Sequence, residues 1–301
     1  MVIASPALVC FGECLWDILP RGIFLGGAPM NVAYHASRLG LVALPVSAVG
    51  RDLLGDEALA RIAAWGVDTT FVTRVRRRPT GTVRAKLDPR GSASYAIRER
   101  VAWDRIAVPR ALQRRPAPGA IVYGTLALRG ESNRFALMDL MAMWPAALRV
   151  LDLNLRAPFD DGIGVKLALS HAQLVKLNDE ELGRMTKRAP HTAAQLETAA
   201  RHFSAAHHAV EVCVTAGARG AGLLWNGDWH WQAGRPVLVR DTVGAGDAFL
   251  AGFLAGYLRR PAEPRLALAG ACTLGEFVAG RDGATPPYQV DARGRPYEPR
   301  S

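Results

Sequence analysis

The sequence predicts an α/β protein, a three-layer α/β/α sandwich with a mainly parallel central sheet and a small β-sheet lid. Two observations carry this. Short apolar runs alternate with segments of three- and four-residue apolar spacing, the pattern of strand–helix units around a sheet covered on both faces. Segment 71–97 breaks that pattern with alternating apolar and polar residues, as a half-exposed hairpin does. The chain has 301 residues, 50% of them hydrophobic, enough for a large core. No repeat, low-complexity stretch or linker divides it, so residues 1–301 read as a single domain.

Taken in order, Ala7–Phe11 is a buried strand ending at Gly12. Gly26-Gly27-Ala28-Pro29 opens a helix that Gly40 ends, because proline suits a first turn and glycine a stop. Pro45–Val49 is a strand, and Leu54–Trp65 a helix ended by Gly66. Val83, Ala85 and Leu87 lead into the turn Asp88-Pro89-Arg90-Gly91, and Ser92–Ile97 continues as a strand. Strand–helix alternation then resumes with Ala120–Tyr123, Asn133–Trp144, Leu148–Leu153, Leu174–Leu177 and Asp179–Lys187. Thr192 with Gln195 forms a capping box for a helix reaching Ala206. Val210–Val214 is a strand and Asn226-Gly227 a hairpin turn. Two helices close the chain, one through Phe249–Leu258 and one over Arg265–Val278.

Composition narrows the function. No run of about 18 apolar residues is present, so no membrane span is expected. Met1–Pro6 lacks the pattern of a signal peptide, and a cytoplasmic location is expected. Cys10, Cys14, Cys213 and Cys272 form no CxxC pair and read as buried free thiols. The net charge is +10, but its basic residues are scattered arginines, with lysine only at 86, 166, 176 and 187. No nucleic-acid motif or aromatic interleaving accompanies them, so no nucleic-acid partner is expected. No GxxxxGK[ST] occurs, and no GxGxxG opens a helix after a strand, which argues against P-loop and dinucleotide-binding proteins.

The chemistry is organised around Asp241-Thr242-Val243-Gly244-Ala245-Gly246-Asp247-Ala248, which feeds the helix through Phe249, Phe253 and Tyr257. A glycine-rich turn at a helix start presents free N–H groups and the positive end of the helix dipole, an anion site suited to phosphate. Asp247 either caps that helix or, with an anion on the amides, is free to take a proton. Asp17 and Asn31 fall past the first strand and early in the next helix, where open α/β sheets bind ligands. A carboxylate and an amide together suit a polyol. Arg156 ends the stretch Asp152-Leu153-Asn154-Leu155-Arg156 after a strand, and Asn178 with Glu181 forms a capping box.

The string Asp-Thr-x-Gly-Ala-Gly-Asp-Ala-Phe closely resembles the C-terminal signature of the ribokinase-like (PfkB) carbohydrate kinases. Gly26-Gly27-Ala28-Pro29-Met30-Asn31 resembles their first signature, and the lead-in Gly12-Glu13…Asp17 resembles the fructokinase-like branch. The resemblance runs from Gly12 to Pro286 and implies a ribokinase-like fold, its lid made from about 15–25 and 71–97. It implies transfer of the ATP γ-phosphoryl group to a primary sugar hydroxyl. Asp247 would be the general base, and the amides of Gly244, Ala245, Gly246 and Asp247 would hold the migrating charge. It further implies that Asp17, Gly27 and Asn31 contact sugar, that Arg156 contacts sugar or phosphate, and that Tyr95 and Arg98 reach in from the lid. Asn178 and Glu181 would help place Mg²⁺ and phosphate, Glu181 through water. Thr215, Gly217 and Gly220 resemble the element lining the nucleotide. Asp241 with Gly283-Ala284-Thr285-Pro286 resembles a monovalent-cation (K⁺) loop. The chain departs from many relatives at Ala271-Cys272-Thr273, where they carry asparagine near adenine. Fructokinase is the expected activity. The alternatives are 2-keto-3-deoxygluconate kinase, with Arg98 and Arg156 on the carboxylate, ribokinase, and a sugar- or nucleotide-binding protein without turnover. Relatives commonly pair lid to lid, which implies a homodimer.

Overall fold

Alternation along one strand sets the layers. In β1 (Ala7–Phe11), Leu8 and Cys10 join one apolar cluster while Val9 and Phe11 join the other. The computed structural model describes residues 6–19, 22–87, 93–160, 162–208 and 210–298. After β1 come β2 (Leu15–Leu19), β3 (Gly22–Gly26), α1 (Ala28–Arg38), β4 (Val42–Gly50), α2 (Leu53–Ala64) and β5 (Val72–Val75). Then follow β6 (Gly81–Leu87), β7 (Ala93–Ile97), β8 (Ala120–Gly124), α3 (Glu131–Met143), β9 (Leu148–Asp152), α4 (Ile163–His171) and β10 (Leu174–Asn178). The chain continues through α5 (Asp179–Thr186), α6 (Ala193–Ala206), β11 (Glu211–Thr215), β12 (Gly220–Trp225), β13 (Asp228–Ala233), α7 (Ala245–Arg259) and α8 (Pro264–Ala279).

Nine strands form the central sheet in the order β13-β12-β11-β10-β9-β8-β1-β4-β5. It is parallel from β11 to β5, with β12 antiparallel to both its neighbours. Residues of α1, α2, α7 and α8 pack in the cluster under one face, and residues of α3, α4, α5 and α6 in the cluster under the other. A separate sheet of order β3-β2-β6-β7 stands apart, with β2 antiparallel to β3 and parallel to β6. Trp16 ties it down by donating its indole N–H to the Leu54 carbonyl at 2.9 Å.

Two local differences from the sequence reading have physical causes. Val72–Val75 pairs with β4 at the edge of the central sheet, so the second segment of the small sheet starts only at Gly81. The helix α4 lies in a stretch to which the sequence reading gives no element, since Ile163, Val165, Leu167 and Leu169 alternate rather than recur at helical spacing. Its buried set is instead Val165, Ala168 and Leu169, a helical face. The expected turn at 88–91 lies outside the described residues. Asn226 and Gly227 take φ of 50° and 83°, the left-handed pair that a tight hairpin requires.

Candidate active site

The carboxyl ends of β1, β9, β10 and β11 open into a cleft of about 760 Å³, roofed on one side by β2 and β6 of the small sheet. The mouth of α7 stands at its centre. Gly244 is the N-cap residue with φ 77°, and a Cβ there would lie 2.5 Å from Ala284 Cα. Only glycine fits. Gly246 is different, because it is already helical. A Cβ on Gly246 would stand 2.8 Å from Lys176 Nζ, so its role is to leave room. The amides of Ala245 and Ala248 donate to Thr242 and Gly244 carbonyls at 3.3 and 2.9 Å. Those of Gly246 and Asp247 find no carbonyl among the described residues, which leaves two donors aimed out of the helix end.

Asp247 does not cap the helix. Its Oδ2 accepts from Asn31 Nδ2 at 2.7 Å, across the cleft from α1. Burial pushes its carboxyl up and the Asp152 charge pushes it further. Lys176, the Asn31 bond and Arg156 oppose, and the balance stands at about 7. The arrangement can accept a proton near neutral pH beside an anion site.

Glu13 and Asp17 complete one end. Glu13 is 3% exposed. Its Oε1 accepts from the Ala28 amide at 3.2 Å, and its Oε2 is buried with no partner, as is Asn31 Oδ1. Burial and the Asp247 charge push Glu13 up to about 7, against its backbone bonds and Arg156. Asp17 is pushed up to about 6 by burial, with Arg156 opposing. These unfilled acceptors call for a ligand rich in donors.

The other expected residues fall as follows. Gly27 is the N-cap of α1 and lines the cleft, as do Arg156, Asn178, Thr215, Gly217 and Gly220. Arg98 is exposed and outside the lining, and its carbonyl accepts from Arg129 Nη2. Tyr95 sits on β7, and its side chain lies outside the described residues. Glu181 is buried behind the lining, its oxygens on the amides of Leu155 (2.7 Å) and Asn178 (2.9 Å). Asp241 accepts from the amides of Val243 and Gly283 at 3.0 and 3.1 Å, joining the loop before α7 to the loop after α8. That second loop is tied to α1. Tyr34 donates to the Pro286 carbonyl at 2.6 Å, and the His35 ring bridges Ala284 O at 2.9 Å and Tyr288 Oη at 3.0 Å. A carbonyl only accepts, so Nε2 carries the proton and Nδ1 accepts from Tyr288. Burial holds His35 down at about 4, which keeps it neutral.

Sequence reasoning missed three residues at this centre: Glu13, Asp152 and Lys176. All three stood inside stretches already singled out or next to them. The available signal was Lys176, one of only four lysines, set within the apolar strand Leu174-Val175-Lys176-Leu177.

Residues 22–291 match the family model described as pfkB family carbohydrate kinase. The chain belongs to the pfkB family of carbohydrate kinases. It is thus a phosphotransferase acting on a sugar. Among its relatives, the fructokinase of Salmonella typhimurium is 30% identical over 303 residues, covering 93% of this chain and 96% of the relative. The fructokinase of Xylella fastidiosa, solved with bound ATP, superposes with a TM-score of 0.78 at 24% identity, covering 93% of this chain and 94% of that one. The fructokinase of Vibrio cholerae O395, solved with fructose, ADP and calcium, gives 0.78 at 23% identity, covering 94% and 96%. The fold is therefore that of the ribokinase-like sugar kinases.

Proposed function

We propose that this sugar kinase transfers the ATP γ-phosphoryl group to a primary hydroxyl of a ketose, converting D-fructose to fructose 6-phosphate. The observation that carries the reading is Asp247, its carboxyl near neutral balance, beside the unpaired Gly246 and Asp247 amides and bonded to Asn31. Asp247 takes the hydroxyl proton as the substrate oxygen attacks the γ-phosphorus and the bond to ADP breaks. The α7 amides, with the Gly244 turn, hold the charge on the phosphoryl oxygens. Asn31, Asp17, Glu13 and the backbone at Gly27 fix the sugar in line. Arg156 meets sugar or phosphate, and Thr215, Gly217 and Gly220 floor the nucleotide. The small sheet acts as a lid that excludes water. Ile23, 50% exposed on β3, offers an apolar contact for a second copy through the lid.

Among the described residues no cluster of three His, Cys, Asp or Glu side chains could hold a metal ion. Both oxygens of Glu181 are taken by amides. This fits Mg²⁺ carried on the ATP phosphates, with Asn178 on the cleft lining placed to assist through water and Glu181 bracing the amides behind it; the ion would supply charge neutralisation. The family resemblance puts K⁺ at Asp241 and the 283–286 loop, where the Ala284 and Pro286 carbonyls are already engaged by His35 and Tyr34, which leaves those of Gly283 and Thr285 for an ion. The named relatives support fructose, and the unfilled oxygens of Glu13 and Asn31 support a neutral, hydroxyl-rich substrate. The placement of Arg98 outside the lining weighs against a sugar acid. Four free thiols are in keeping with a cytoplasmic reaction. The test is a panel of sugars with ATP and Mg²⁺, including ribose and 2-keto-3-deoxygluconate. Fructose is expected to give the highest kcat/KM by at least about tenfold, and a preference for the acid would overturn the assignment.

A further inference from the structure

We propose that Lys176 is a positioning residue of phosphoryl transfer: its ammonium, held by Asp152 against the first turn of α7, sets the charge balance in which Asp247 works as the base. The proposal rests on the reading of Asp247 as the base.

Lys176 is only 7% exposed in a strand whose neighbours Val175 and Leu177 are fully buried. An ammonium persists there only if paired. Register sets Lys176 beside Asp152 of β9, and Nζ donates to Asp152 Oδ1 at 3.0 Å. That is its one hydrogen bond among the described residues, out of three donors. A Cβ at Gly246 would stand 2.8 Å from Nζ, so the ammonium lies directly against the first turn of α7. Burial would lower Lys176, but the charges of Asp152, Asp247 and Glu181 outweigh it and hold its proton. Asp152 keeps Oδ2 buried and without a partner.

The Lys176–Asp152 pair therefore lies against the first turn of α7, where Asp152 pushes the Asp247 carboxyl up and Lys176 pushes it down. The remaining groups around Asp247 are Asn31 of α1, Arg156 after β9 and Glu13 after β1. A pair kept for stability alone would be served as well by apolar side chains. A pair that tunes the base has a signature: its two members shift Asp247 in opposite directions.

The experiment is the pH dependence of kcat/KM for fructose. Lys176→Met is expected to move the acid limb up by about 1 unit or more, and Asp152→Asn to move it down. Lys176→Arg should restore the limb, with fructose affinity by equilibrium binding changed less than about threefold throughout. Limbs that stay put, or move the same way, overturn the proposal. Should Lys176→Met lose its cooperative melt, the isosteric Asp152→Asn decides alone: an unmoved limb overturns it. Asp247→Asn separates the two readings. Full turnover in that variant overturns the base and Lys176 with it, whereas a dead variant with unmoved limbs overturns Lys176 only.

Discussion

Glu13, Asp17, Asn31 and Asp247 line one part of the cleft with side-chain oxygens, whereas Gly217 and Gly220 strip another part down to backbone, with the Gly244–Gly246 turn at the join. Side-chain carboxyls titrate, and three of these are pushed above their ordinary range by burial. Backbone amides do not titrate, and they hold a phosphate without regard to pH. Under the proposed function, the side-chain part would carry selectivity and pH sensitivity, and the backbone part affinity for the nucleotide.

The largest effect comes from breaking the acidic part at its centre. Asp247→Asn is expected to reduce kcat by about 10²–10⁴ or more while ATP affinity by calorimetry stays within a few-fold. In the wild type, kcat/KM should rise with pH through about 7, because the base works only once deprotonated. A flat profile would mean that the two parts do not differ in this respect.

Glu13→Gln sharpens the contrast. The folded value of Glu13, about 7, lies above its ordinary 4.5. Its protonation therefore favours the folded state below about 4.5, a contribution lost as pH rises through about 7. Gln carries no such penalty. The variant should be more stable than wild type above pH 7, on the order of 1–3 kcal/mol, with no gain below about 4.5, read from Tm against pH. Its KM for fructose should rise at the same time.

The smallest effect is expected at the cleft rim. Arg235, exposed at 61%, pairs with Glu276 at 2.7 Å beside Cys272 on the cleft wall. Arg235→Ala should change the KM for ATP by less than about threefold, because exposed pairs contribute about 0–1 kcal/mol. It should leave the KM for fructose alone.

Legibility in the sequence followed the same divide. Asp17, Asn31 and Asp247 were readable because their side chains sit in motifs with fixed spacing. The glycines were readable as a group but not one by one. Both Gly244 and Gly246 suggested unusual backbone angles, yet only Gly244 has one, and the constraint on Gly246 comes from Lys176, 70 positions earlier. The layers followed from the alternation of apolar strands with helical segments, whereas the strand order came only from the structure. The periodicity left α4 unassigned, and it did not separate Val72–Val75 from the small sheet, because a four-residue edge strand has too little pattern to assign. Lys176 went unread because a charge inside an apolar strand acquires meaning only from its neighbours across the sheet.

His35 gives the two parts a common pin. It lies one turn beyond Asn31 on α1, and its ring is clamped between the Ala284 carbonyl and the Tyr288 hydroxyl of the loop that abuts Gly244. The loop against Gly244 and the helix from which Asn31 reaches Asp247 are thus one packed unit.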